Sequence, residues 1–115
     1  MTVTIYHNPR CSKSRQTLDL LEARGITPKV VEYLKHPPSA TELKAILKRL
    51  GIKPRELVRR GEPLYAELGL EDRELSEDDL IRLMVANPIL IERPIVVSGA
   101  KASIGRPPER VLDIL

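Results

Sequence analysis

Hydrophobic and polar positions change their period several times along the chain, and each change marks an element. Residues "TVTIY" alternate, with Val3 and Ile5 on one face, and predict a strand. "HNPR" interrupts it with turn chemistry, since Asn8 tolerates unusual backbone angles and Pro9 fixes its own. A helical pattern runs from Ser12 to Arg24, with Leu18 and Leu21 facing inward, until Gly25 stops it. "KVVEYL" is apolar on both faces at Val30, Val31 and Leu34, which predicts a buried central strand. Strand, helix and strand in so short a span predict a right-handed crossover between parallel strands.

A longer helical region follows. Ser39 with Glu42 has the form of a capping box, and Leu43, Ile46, Leu47 and Leu50 make one stripe before Gly51. A short helix is expected to open at Pro54. Ser76 with Asp79 starts another, carrying Leu80, Ile81, Met84 and Val85, and Asn87–Pro88 closes it. "PIVVSGAKASIG" reads as a hairpin with Ser98–Gly99 at the tight turn. Pro107 suits the first turn of a last helix ending in "RVLDIL". The order β-α-β, helices, β-β-α belongs to the α/β class. It predicts a thioredoxin-like fold with a helical insertion between the N-terminal βαβ and C-terminal ββα units. At 115 residues, 1–115 is expected to form a single domain.

Composition narrows the function. There is no Phe or Trp, so Leu, Ile, Val and Ala must fill the core. No apolar run approaches the ~18 residues of a membrane span, and the N-terminus carries no charged leader before an apolar block. A cytoplasmic protein without membrane contacts is therefore expected. Acids and bases nearly balance at a formal charge of +3, and three Tyr are the only aromatics. That is no basic stripe with interleaved aromatics, so nucleic acid is not an expected partner. Two His and one Cys lack metal-ligand spacing, so no metal is expected. The single cysteine, Cys11, cannot close an internal disulfide, and any redox cycle must borrow a second thiol.

A lone cysteine is ordinarily a small buried hydrophobe. Cys11 instead sits in a polar turn between Arg10 and Ser12, after a strand and before a helix. The unpaired N–H groups of a first helical turn favour negative charge there, which lowers a thiol's pKa and populates the reactive thiolate. The same groups suit an oxyanion beside the sulfur. Lys13, Arg15 and His7 add positive charge nearby. A Cys-x-x-Cys dithiol is excluded by Ser14, and a Cys-x5-Arg phosphatase loop by Thr17.

"YHNPRCSKSR" resembles the signature of the glutaredoxin-coupled arsenate reductase family, ArsC, and "HPPSATEL", "NPILIERPIVV" and "GRPPERVLDIL" resemble its later blocks. The resemblance spans essentially the whole chain, and "PRCSKSR" places it nearest a short branch of the family. It implies a thioredoxin-like core with Cys11 as the catalytic residue. It further implies three arginines that bind the substrate oxyanion, falling on Arg59 in "ELVRR", Arg93 in "ERPIVV" and Arg106 in "GRPPE". Arg60 is as good a candidate as Arg59 by position. His7 and Arg15 belong to the same signature and are expected to tune the thiolate. Pro94 falls where thioredoxin-like folds place a cis-proline.

The activity this implies is reduction of arsenate to arsenite through a Cys11 adduct. Glutathione would be the co-substrate and glutaredoxin the partner that resolves the mixed disulfide, with no bound cofactor. Two alternatives remain open: a general glutathione-dependent thiol oxidoreductase, and a redox or transcription regulator resembling Spx. Spx-type switching commonly uses Cys-x-x-Cys, which Ser14 disfavours.

Overall fold

The period-2 run at the N-terminus and the first helical stripe meet as the two faces of one core. In the structure, a computed structural model that describes residues 2–115, the first strand β1 is Val3–His7 and α1 is Ser12–Ala23. They are followed by β2 (Lys29–Glu32), α2 (Ala40–Leu50), α3 (Pro54–Leu57), α4 (Pro63–Glu67) and α5 (Glu77–Ala86). A 3-10 helix at Pro88–Leu90, strands β3 (Ile95–Ser98) and β4 (Lys101–Ile104) and a 3-10 helix at Pro108–Ile114 complete the chain.

The strands form one four-stranded sheet in the order β2-β1-β3-β4, with β2 parallel to β1 and the other pairs antiparallel. Ile5 stands opposite Val96 in the register of β1 and β3. Those two residues, with Val3, Leu21 and Val111, make one buried cluster against which Leu18, Ile26 and Ile114 pack. Sequestering an aliphatic side chain of this kind contributes about 1.5–3 kcal/mol, so the cluster fixes α1 and the last 3-10 helix on this face. A βαβ unit and a β-hairpin with a closing helix, joined through β1 and β3, constitute the expected thioredoxin-like fold.

Three local expectations change. The second strand is an edge strand, paired only with β1, and Val30 and Leu34 stand 45% and 41% exposed. Apolar residues on both faces of a strand do not reveal whether a further strand lies beside it. The hairpin turn is Gly99–Ala100, because Ser98 pairs with Lys101. Gly99 has φ +60° and Ala100 does not share a positive φ, the pattern of a II′ turn. The last helix is 3-10 rather than α, and Pro107 precedes it while Pro108 opens it. The short α4, with Pro63 in its first turn, is an element the sequence pattern did not announce.

The chain divides into two units. The first comprises residues up to His36 with Arg93–Leu115, and holds the whole sheet, α1 and the last 3-10 helix. The second, Pro37–Glu92, is the helical insertion. There the Ser39 hydroxyl accepts from Glu42 N–H at 3.1 Å while the Glu42 carboxylate accepts from Ser39 N–H at 3.2 Å. Gly51 ends α2 at φ +68°, and Ser76 caps α5 by accepting from Asp79 N–H at 3.1 Å. Leu43, Ile46 and Leu47 of α2 and Leu80, Ile81 and Met84 of α5 are buried as the stripes predict. Among the described residues no helix is long and apolar enough to cross a membrane.

Candidate active site

The end of β1 and the start of α1 are joined by a turn whose geometry follows from its residues. Cys11 N–H donates to Asn8 C=O at 3.0 Å, with Pro9 and Arg10 between them. Asn at the first and Pro at the second position suit a type I turn. The Asn8 side chain accepts from Arg10 N–H at 3.0 Å, and Arg15 Nη1 donates to Pro9 C=O at 2.9 Å. Cys11 emerges as the N-cap residue of α1, in extended conformation, partly buried, and without a side-chain cap bond.

Beneath this turn, strand and helix periodicities intersect. Val3, Ile5 and His7 share the inward face of β1, and Ser14, Thr17 and Leu21 are the buried positions of α1. His7 and Ser14 therefore meet: His7 Nδ1 lies 2.6 Å from Ser14 Oγ, which also accepts from Asn8 N–H at 3.0 Å. The arrangement that strands no proton has the Ser14 hydroxyl donating to a neutral imidazole. Burial pushes the His7 pKa below its ordinary value of 6.5; Glu32 opposes this and Arg15 reinforces it.

The sulfur's surroundings favour charge. Burial alone would raise the Cys11 pKa, but the Ser14 N–H, the Arg93 charge and its side-chain hydrogen bond, and the Lys13 N–H together lower it. No acidic side chain occupies the first turn of α1 to compete for those N–H groups. Two successive helix amides and one guanidinium thus favour the charged form of Cys11 although the sulfur caps no amide of the first turn, a set of donors that equally suits an anion beside the sulfur.

Arg93 reaches this position from the opposite end of the chain. It precedes β3 through a cis bond to Pro94, the residue at which such a bond was expected. Gly105 N–H donates to Pro94 C=O at 2.9 Å, and a Cβ on Gly105 would lie 2.5 Å from Thr17 Oγ1 and 2.8 Å from Pro94 Cγ. Glycine is what lets α1, the Pro94 segment and the end of β4 close on one another. Arg106, exposed and next in sequence, donates from Nη1 to Arg93 C=O at 3.3 Å.

Of the residues singled out in the sequence, the first unit thus brings together Cys11, His7, Arg15, Arg93 and Arg106. His7 and Arg15 hydrogen-bond to Ser14 and to the turn backbone. Arg59 belongs to the other unit, where its Nη1 pairs with Glu62 Oε2 at 3.1 Å and its N–H donates to Leu90 C=O at 2.7 Å. Arg60 beside it is exposed. Sequence reasoning passed over Ser14, Thr17 and Gly105. A signal for the first two existed, because Leu18 and Leu21 place positions 14 and 17 on the buried face, where a polar side chain requires a partner. Among the described residues no group of three or more His, Cys, Asp or Glu is placed to hold a metal ion.

Comparison with known proteins agrees with this geometry. The model of the ArsC family matches residues 6–114. The uncharacterized protein YfgD of Escherichia coli K12 is 59% identical, over 98% of this chain and 96% of its own. An arsenate reductase of Haemophilus influenzae is 51% identical over 100% of both chains. The solved structure of an arsenate reductase from Vibrio cholerae is 54% identical and superposes with a TM-score of 0.97, covering 100% of this chain and 98% of that one. A thioredoxin-like sheet, a cysteine at the start of its first helix and a family match from Tyr6 almost to the C-terminus lead to one assignment: the chain belongs to the ArsC family.

Proposed function

We propose that the protein is an oxidoreductase that reduces arsenate to arsenite, with glutathione and glutaredoxin supplying the electrons. The observation that carries the reading is Cys11 at the N-cap of α1, where the Ser14 and Lys13 N–H groups and Arg93 favour its thiolate. The thiolate attacks arsenic(V), forming an S–As bond as an arsenate oxygen leaves as water. A glutathione thiolate then attacks the Cys11 sulfur. The S–S bond forms, the S–As bond breaks, and its electron pair stays on arsenic, which departs as arsenite. Glutaredoxin removes the glutathione by thiol–disulfide exchange and restores Cys11. Arg93 and Arg106 offer charge-assisted bonds to the oxyanion and stabilise charge as it develops. Glutathione is plentiful in the cytoplasm, the location this chemistry favours.

Steady-state arsenate reduction with each thiol donor tests the proposal. With arsenate alone, at most one turnover per chain is expected, because the only cysteine has no partner in the chain. Glutathione plus glutaredoxin should sustain turnover, and intact-mass spectra should show a Cys11–glutathione adduct that glutaredoxin removes. Thioredoxin sustaining turnover with no such adduct would refute the donor assignment. Arg93→Ala and Arg106→Ala should each lower turnover at least about tenfold, about 1.4 kcal/mol of transition-state stabilisation. Arg59→Ala measures the share in anion binding that the family resemblance gives that residue, through the KM for arsenate.

A further inference from the structure

Beside the nucleophile's turn, the first unit contains a cavity of about 280 Å³ that the reaction with the oxyanion does not use. One wall is the His7–Arg10 segment and the other is Glu32, Leu34 and Lys35, just past the end of β2. Its charged groups are two cations, Arg10 and Lys35, and one carboxylate, Glu32. Arg10 is adjacent to Cys11 in the chain, so the wall of the cavity continues into the nucleophile's own turn. Its backbone N–H is taken up by Asn8, and its guanidinium makes no hydrogen bond or ion pair among the described residues. Lys35 and Glu32 stand 3.9 Å apart with side chains 73% and 40% exposed. An exposed pair at that distance is worth little, so either partner can turn to a ligand at small cost. Leu34, 41% exposed, supplies an apolar floor.

We propose that this cavity seats the peptide portion of the reducing thiol, with Arg10 and Lys35 taking its carboxylates and Glu32 its ammonium group. Two cations and one anion complement a thiol tripeptide bearing two carboxylates and one ammonium. The site would select a thiol carried by a small anionic peptide over a neutral thiol of equal intrinsic reactivity. The inference rests on the proposed use of glutathione, but its test needs no arsenate.

Reduced protein is mixed with glutathione disulfide or with the uncharged bis(2-hydroxyethyl) disulfide. In each case the Cys11 thiolate attacks one sulfur, a mixed disulfide forms, the original S–S bond breaks, and one thiolate leaves with the electron pair. Intact-mass kinetics give the two second-order rate constants, and their ratio removes any change in the nucleophile itself. The expected result is a preference for glutathione disulfide in the native protein that falls at least about tenfold in the double variant Arg10→Ala/Lys35→Ala. Arg24→Ala/Lys48→Ala, which also removes two positive charges at exposed positions away from the cavity, serves as the control for net charge and should retain the preference. No preference in the native protein, or an unchanged ratio in the double variant, overturns the proposal. So does an equal fall of the ratio in Arg24→Ala/Lys48→Ala. Failure of arsenate turnover would leave this measurement intact, so the two readings fail separately.

Discussion

Burial pushes the Cys11 thiol toward its neutral form, and two helix amides with one guanidinium reverse that push. Alkylation rate against pH should therefore have its midpoint below the ordinary thiol value of about 8.5. Arg93→Ala removes both a charge and a hydrogen bond from the thiolate, so the midpoint should rise and reactivity at neutral pH should fall. A midpoint that does not move in Arg93→Ala would show that the guanidinium plays no part. The place of Cys11 was legible in the sequence because its causes are local: an Asn-Pro turn, the end of a strand and the start of a helix. Arg93 was legible only through family resemblance, since nothing in "ERPIVV" states which residue the chain will return to. The burial of Ser14 could be read from its place on the helix, but its partner could not, because His7 comes from the face of a different element.

Contacts between elements decide how tightly that site is assembled, and Gly105 is the most demanding of them. A methyl group there meets the hydroxyl of Thr17 and the ring of Pro94 at 2.5 and 2.8 Å. Thr17 cannot swing away freely, because Oγ1 donates to Lys13 C=O at 2.8 Å. Gly105→Ala should cost about 1–3 kcal/mol by urea denaturation, the usual range for overpacking. Adding Thr17→Ala should recover part of the loss and leave the share due to Pro94. Full stability in the single variant would mean that α1 has room the structure does not give it. At this scale the sequence was most readable where a cap announces a helix, as at Ser39 and Ser76, whose side chains make the expected bonds. It was least readable where context decides. The same apolar residues fit an edge or a central strand, and the expected last α-helix, opening at Pro108, is a 3-10 helix.

Across the whole molecule, the two perturbed groups of the site tie stability to pH in the same direction. The folded-state pKa of His7 lies below its unfolded value of 6.5. Between those two values the unfolded chain holds a proton that the folded one does not, so stability falls as pH drops through that window. The lowered pKa of Cys11 acts likewise: its contribution is complete above the unfolded thiol value and is lost as pH falls through the folded one. Urea unfolding at pH 7.5 and pH 5.5 should show a smaller acid-induced loss in His7→Gln than in the native protein. An identical loss would place the titration elsewhere. The helical insertion was foreshadowed by the run of helical patterns between the βαβ and ββα segments, whereas the pairing of Arg59 with Glu62 was not.

That organisation also sets an order in time. The sheet's central neighbours, β1 and β3, are separated by the entire insertion. On a ribosome adding ~5–20 residues each second, the interval from Val3 to Ile95 lasts roughly 5–18 s. During it, β1 awaits its antiparallel partner, and the helical insertion is completed in sequence only at Glu92, just before β3 is made. Cys11 emerges early but lacks Arg93 until the final stretch of chain is made. The nucleophile's full acidity is therefore a late product of synthesis, conferred only when the last fifth of the polypeptide folds back onto the first.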